Sequence, residues 1–184
     1  MSDIDWLIQR LRRIIAAATT ALESRLGEAG AVDAWQSTVT DAIGRYSLAA
    51  MMTGSGAEEL RPDQLKAVKK AVEVQADFLD TFALEIQGAA AWQAGWNARA
   101  EMYASSIKAP YWQGKVKMLP LPAMPGDGST QCLTNCGCAW DIQQLDGDGN
   151  YDCTWVRGKN DSCQTCIARA GRWAPLRIRE GAIV

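Results

Sequence analysis

The chain has 184 residues, 48% of them hydrophobic and 22% charged, with a formal charge of −2 and no histidine. Such a chain buries a core, as one domain with an appendage or two small domains, and is not disordered. Its balance gives no global electrostatic reason to expect nucleic acid. The missing imidazole excludes Ser/His and Cys/His hydrolases and removes the usual ligand of catalytic zinc.

The start, Met1 to Asp5, is acidic where a secretory or organellar leader is basic, and Arg10, Arg12 and Arg13 interrupt the apolar residues that follow. No run approaches the roughly 20 apolar residues of a membrane-spanning helix. The expectation is a protein made in the cytosol and kept there, or packed into something assembled there, with no membrane.

Residues 1–113 read as helix. Ile4, Ile8, Leu11, Ile15, Ala18, Leu22 and Leu26 recur at spacings of three and four, a stripe ending near Gly27 to Gly30. A second helix is predicted from an Asp33 N-cap, with Trp35, Val39, Ile43, Tyr46 and Ala50 inward, broken at Thr53 to Gly56. Gly44 inside it costs about 1 kcal/mol relative to alanine unless a close helix contact uses it. Pro62 and Asp63 open a third helix carrying Leu65, Val68, Val72, Leu79, Phe82 and Ile86. A fourth carries Trp92, Trp96, Ala100, Tyr103 and Ile107 before Pro110 ends it. At helical spacing these aromatics are core and not a base-stacking surface, and Glu58 and Glu59 lack any partner at metal-ligand spacing. About four helices with short links predict an antiparallel bundle or irregular helical array.

Residues 114–130 form a linker. Lys115 and Lys117 lead into Pro120, Pro122 and Pro125, which forbid helix or central strand, so the segment is an extended, stiff spacer laid along its own domain.

Residues 131–184 hold all six cysteines: Cys132, Cys136 and Cys138, then Cys153, then Cys163 and Cys166. In a reducing compartment such clustering favours metal over disulfides. Cys132 to Cys136 followed by Gly137 resembles a zinc knuckle. The segments 139–142 and 151–156 read as strands around the Asp146 to Asn150 turn, and Asp161 or Ser162 caps a helix bearing Cys163 and Cys166. Knuckle, hairpin and ligand-bearing helix make a treble-clef-like α+β module. The first-choice ligands are Cys132, Cys136, Cys163 and Cys166, a closed tetrathiolate zinc site of structural kind, with the helix dipole favouring thiolate. Cys138 is open as a substitute for Cys136, or as a partner of Cys153 across the hairpin. Three disulfides without metal are the competing reading if the protein matures in an extracellular particle, and reduced cysteines that only pack are the third. Asp146, Asp148, Asn150 and Asp152 suggest calcium, but Tyr151 sits where the loop glycine belongs and Arg157 where a closing glutamate belongs, so a solvated turn is expected. After the helix, residues 173–179 leave by an alternating segment able to add a short strand.

The run Asn135 to Trp140, with Asp161 to Cys166 and Trp173 to Leu176, resembles the cysteine-rich C-terminal end of head morphogenesis (minor head) proteins of tailed phages and prophages. Trp35 to Met52, Gln75 to Phe82 and Asn97 to Tyr103 are similar to the helical part of that family. The resemblance implies a virion-associated structural or minor capsid protein, not an enzyme, oligomeric in a particle and binding portal or major capsid protein. It would reside in host cytoplasm before assembly. The chain is shorter than the Mu-like members and lacks histidine. The alternative is a zinc-containing nucleic-acid-binding or regulatory module using Arg157, Lys159, Arg169, Arg172, Arg177 and Arg179.

Overall fold

In the computed structural model, which describes residues 3–116, 119–133, 136–146, 149–158 and 162–184, the first element is α1, Asp3–Glu23. Its stripe buries Leu7, Ile8, Leu11, Ile15 and Leu22, and the buried Thr19 hydroxyl accepts the Trp35 indole N–H at 3.0 Å. Helix α2, Ala31–Ser55, leaves Gly30 at φ 75°, which places Asp33 in the first turn and not at the N-cap. The stretch 53–55 does not break α2, which runs on to Gly56 at φ 67°.

Helix α3, Pro62–Gln87, begins after Arg61, whose N–H donates to Gln64 Oε1 at 3.0 Å. That cap draws Gln64 inside, so Leu65, expected on the buried stripe, is 46% exposed. Val68, Leu79, Phe82 and Ile86 are buried as the periodicity requires.

The fourth helix is divided. Helix α4, Trp96–Met102, passes into a 3-10 turn, Tyr103–Ile107, and then α5, Lys108–Lys115. Trp92 precedes α4 and stacks edge-on against Trp96, centroids 5.0 Å apart. Pro110 does not end the segment. It lies in the first turn of α5, where an absent N–H is tolerated.

Helices α2 and α5 cross at glycines. A Cβ on Gly54 would stand 2.1 Å from the Tyr111 carbonyl oxygen, and one on Gly114 would stand 2.5 Å from that of Met51. Only glycine permits backbones this close. Gly54 is thus a contact residue inside a helix, which a reading of local breakers takes for a loop.

The C-terminal part is a four-stranded antiparallel sheet with one helix. Strands β1 (Ala139–Gln144), β2 (Tyr151–Val156), β3 (Leu176–Arg179) and β4 (Ala182–Ile183) lie in that order, and α6 (Gln164–Arg172) connects β2 to β3. The expected hairpin pairs Ala139 with Val156 and Ile142 with Cys153. The chain is mainly helical with a small antiparallel sheet and a cysteine cluster, the architecture its sequence predicts.

Two apolar clusters hold these parts. One joins α1–α4 and the 3-10 turn around Trp35, Phe82 and Trp96. The other gathers Trp140, Trp155, Trp173 and Cys136, Cys138, Cys153 and Cys166, and it includes Trp112 and Val116 at the end of α5. Ala123 and Met124 of the proline-rich segment are buried there, and the Ala123 carbonyl accepts the Trp140 indole N–H at 2.8 Å. Among the described residues no helix is long and apolar enough to cross a membrane.

Candidate metal centre

Five of the six thiols converge where the segment before β1 meets the start of α6. Cys163 is the N-cap of α6 and Cys166 lies in its first turn, with the Ile167 N–H donating to the Cys163 carbonyl at 3.0 Å. The N-cap is neither Ser162 nor, in the expectation above, Asp161, which lies outside the described residues. Cys132 and Cys136 come from the segment before β1. Thr134 and Asn135 between them, like Lys117, Gly147, Asp148 and Lys159, lie outside the described residues.

The sulfurs form two triples sharing one member. Cys132, Cys163 and Cys166 lie within 4.8 Å of one another, and so do Cys136, Cys138 and Cys166. Cys166 Sγ is 3.8 Å from Cys132 Sγ and 3.7 Å from Cys136 Sγ, and Cys132 is 3.7 Å from Cys163. Zinc–sulfur bonds of about 2.3 Å in a tetrahedron set sulfurs about 3.8 Å apart, whereas a disulfide needs about 2.05 Å. The donor set therefore fits a thiophilic ion, and the four expected ligands all belong to the cluster. Cys138 joins it as a fifth thiol.

Electrostatics divide the thiols. Burial works against ionisation of Cys163, but hydrogen bonds from Cys166 and Cys132 outweigh it and bring Cys163 down to about 6. Cys166 is pushed up, first by burial and then by the thiols of Cys138, Cys163 and Cys136 around it. Burial also raises Cys132, partly offset by Thr130, whose hydroxyl lies 3.2 Å from its sulfur. Without a cation, five sulfurs this close cannot all be thiolates, so a bound ion would complete the site electrically as well as sterically.

Cys153 stands apart. The register sets it opposite Ile142, four residues beyond Cys138, or about 13 Å along the strand. Of the two alternatives open for Cys138, the pairing with Cys153 across the hairpin is therefore not formed, because hairpin register and not cysteine spacing decides which thiols meet.

Surrounding contacts lock the cluster in place. The Lys108 ammonium donates to the Cys136 carbonyl at 3.0 Å, a tie between α5 and the thiols that no local sequence signal marks. Gly158 packs on Gly137, and a Cβ there would meet the Gly137 carbonyl oxygen at 2.7 Å. Trp140 and Trp173 stack and Trp155 meets both edge-on, with centroids 5.2–5.7 Å apart. Arg169 lies over two of those rings and donates to the Ser129 carbonyl at 3.1 Å.

Of the other basic residues, Arg179 pairs with Asp152 at 2.8 Å, while Arg157, Arg172 and Arg177 are exposed. The same ion pair occupies Asp152, and Asp146 accepts the Asn150 amide at 2.7 Å, so two carboxylates of the suggested calcium loop are already used.

No protein-family model matches the chain, and no curated protein or solved structure does so.

Proposed function

We propose that the chain is a structural protein whose C-terminal module is fastened by one zinc ion, and that it works through the surfaces so held, binding portal or capsid protein during assembly of a tailed-phage head. The observation that carries the zinc reading is the sulfur spacing of 3.7–3.8 Å around Cys166, which matches the edge of a tetrahedral thiolate site. Cys132, Cys136, Cys163 and Cys166 are the proposed ligands. Four thiolates close the coordination sphere, so the ion would supply cross-linking and not an activated water. Catalysis is left without a histidine in the whole chain. The phage assignment is supported by the motifs around Cys136, Cys163 and Trp173 and by the helical stretches that accompany them.

Two measurements test the two halves separately. Elemental analysis with a thiol count on native protein should give one zinc per chain and four protected thiols. Zero free thiols without metal would instead make the cysteines disulfides. Co-purification with portal and major capsid proteins, and detection of the chain in particles, should both be positive. Failure of both removes the assembly role even if zinc is bound. A DNA titration with steep salt dependence would favour the nucleic-acid module.

A further inference from the structure

The cluster has one thiol more than a tetrahedral ion can use, and the surplus sits in a particular place. Cys166 belongs to both sulfur triples, Cys132 and Cys163 to one, Cys136 and Cys138 to the other. Cys136 and Cys138 flank Gly137, which adds no side chain between them, and a Cβ there would lie 3.9 Å from the Gly158 Cα. Both sulfurs therefore reach the Cys166 side of the site from a segment with a glycine at its centre. We propose that Cys136 and Cys138 are interchangeable ligands of a single zinc ion that stays on Cys132, Cys163 and Cys166, giving the module two coordination states.

The inference rests on the zinc reading above. Its exchange step balances simply. The incoming thiol releases a proton to solvent as its sulfur bonds to zinc, and the departing thiolate takes up a proton, so the charge of the site is unchanged. The two states differ in what the ion is tied to. Cys136 is held by its carbonyl to Lys108 at the start of α5, so its coordination links the ion to the helical body. Cys138 runs directly into β1 at Ala139, so its coordination links the ion to the sheet. Exchange would shift the constraint between the two parts of the molecule without losing the metal, and Lys108 would favour the Cys136 state.

The test uses the full-length chain purified with zinc. Cys136→Ser and Cys138→Ser should each retain about one zinc per chain, whereas the double variant and Cys166→Ser should retain less than about a fifth of that. In the unsubstituted protein, limited alkylation read by mass spectrometry should modify both Cys136 and Cys138, Cys138 the more because Lys108 favours ligation by Cys136, and spare Cys132, Cys163 and Cys166. Lys108→Met should raise alkylation of Cys136 and lower that of Cys138 several-fold at unchanged zinc content, a shift that simple loss of packing would not give. Retained far-ultraviolet dichroism in every variant separates ligand loss from misfolding. Loss of zinc in only one of the two single variants, or alkylation confined to Cys136 or to Cys138, overturns the exchange while leaving the zinc site intact. An unsubstituted protein free of zinc overturns both.

Discussion

Cys153 is fully buried in β2, outside either sulfur triple, and burial, with a lesser contribution from Asp152, pushes its thiol up to about 11. A group raised from 9.0 in the folded state contributes stability that is complete below pH 9 and lost as pH rises toward 11, because the unfolded thiol ionises first. The loss from this one residue should be about 1.4 kcal/mol at pH 10. Cys153→Val, which keeps the volume but cannot ionise, should lose that much less stability than the unsubstituted protein between pH 8 and pH 10 in urea denaturation. Equal losses in both proteins would show that the buried thiol is not what titrates. In the sequence Cys153 stands outside the first-choice ligands, with a role only as a candidate partner of Cys138. The sequence could not show that the thiol is simply a small apolar side chain in a sheet, since that depends on pairing with Ile142 and Leu176 from distant segments.

Among the helices, three glycines with the same local appearance have different environments. A Cβ on Gly44 meets nothing within 4 Å, whereas one on Gly54 or Gly114 would stand 2.1 or 2.5 Å from backbone of the crossing helix. Gly44→Ala should therefore stabilise the protein by roughly 0.5–1 kcal/mol, the ordinary helical difference. Gly114→Ala should destabilise by more than about 2 kcal/mol, because no side-chain rotation relieves a clash with a main-chain oxygen. Denaturant midpoints moving in opposite directions would confirm the contrast, and a stabilised Gly114→Ala would remove the close crossing. These glycines also explain how much of the fold was legible. Stripes such as Trp35, Val39, Ile43 and Ala50 identify buried faces from local spacing alone, and all four are buried. Helix ends were less legible, because Thr53 to Gly56 and Pro110 look like breaks until the partner helix is in place. The thiol site was partly legible for the same reason: a C-x2-C at a helix start is local, but the tie from Lys108 to Cys136 spans 28 residues.

At the scale of the whole molecule, two apolar clusters meet along α5, whose Tyr111 packs on both while Trp112 and Val116 belong to the second. The first cluster is built from long helices that bury large side chains without help from the cysteines. The second is small, and it places three tryptophans directly beside Cys136, Cys138 and Cys166, so the packing of those rings depends on the thiols being held. If zinc holds them, ligation is linked to folding of that part: an ion free at a thousand times its dissociation constant adds about 4 kcal/mol to the bound fold. Removing zinc with a strong chelator under reducing conditions should therefore abolish the near-ultraviolet dichroism of the C-terminal tryptophans and open residues 119–184 to proteolysis. Most of the far-ultraviolet helical signal should persist, since α1, α2 and α3 supply most of the helix. Unfolding would then show two transitions, the first moving with zinc concentration and the second not, a departure from two-state behaviour that follows from the division of the core. A single transition insensitive to zinc would mean that the tryptophan cluster stands without the ion. A single zinc-dependent transition would mean that α5 couples the two clusters into one cooperative unit.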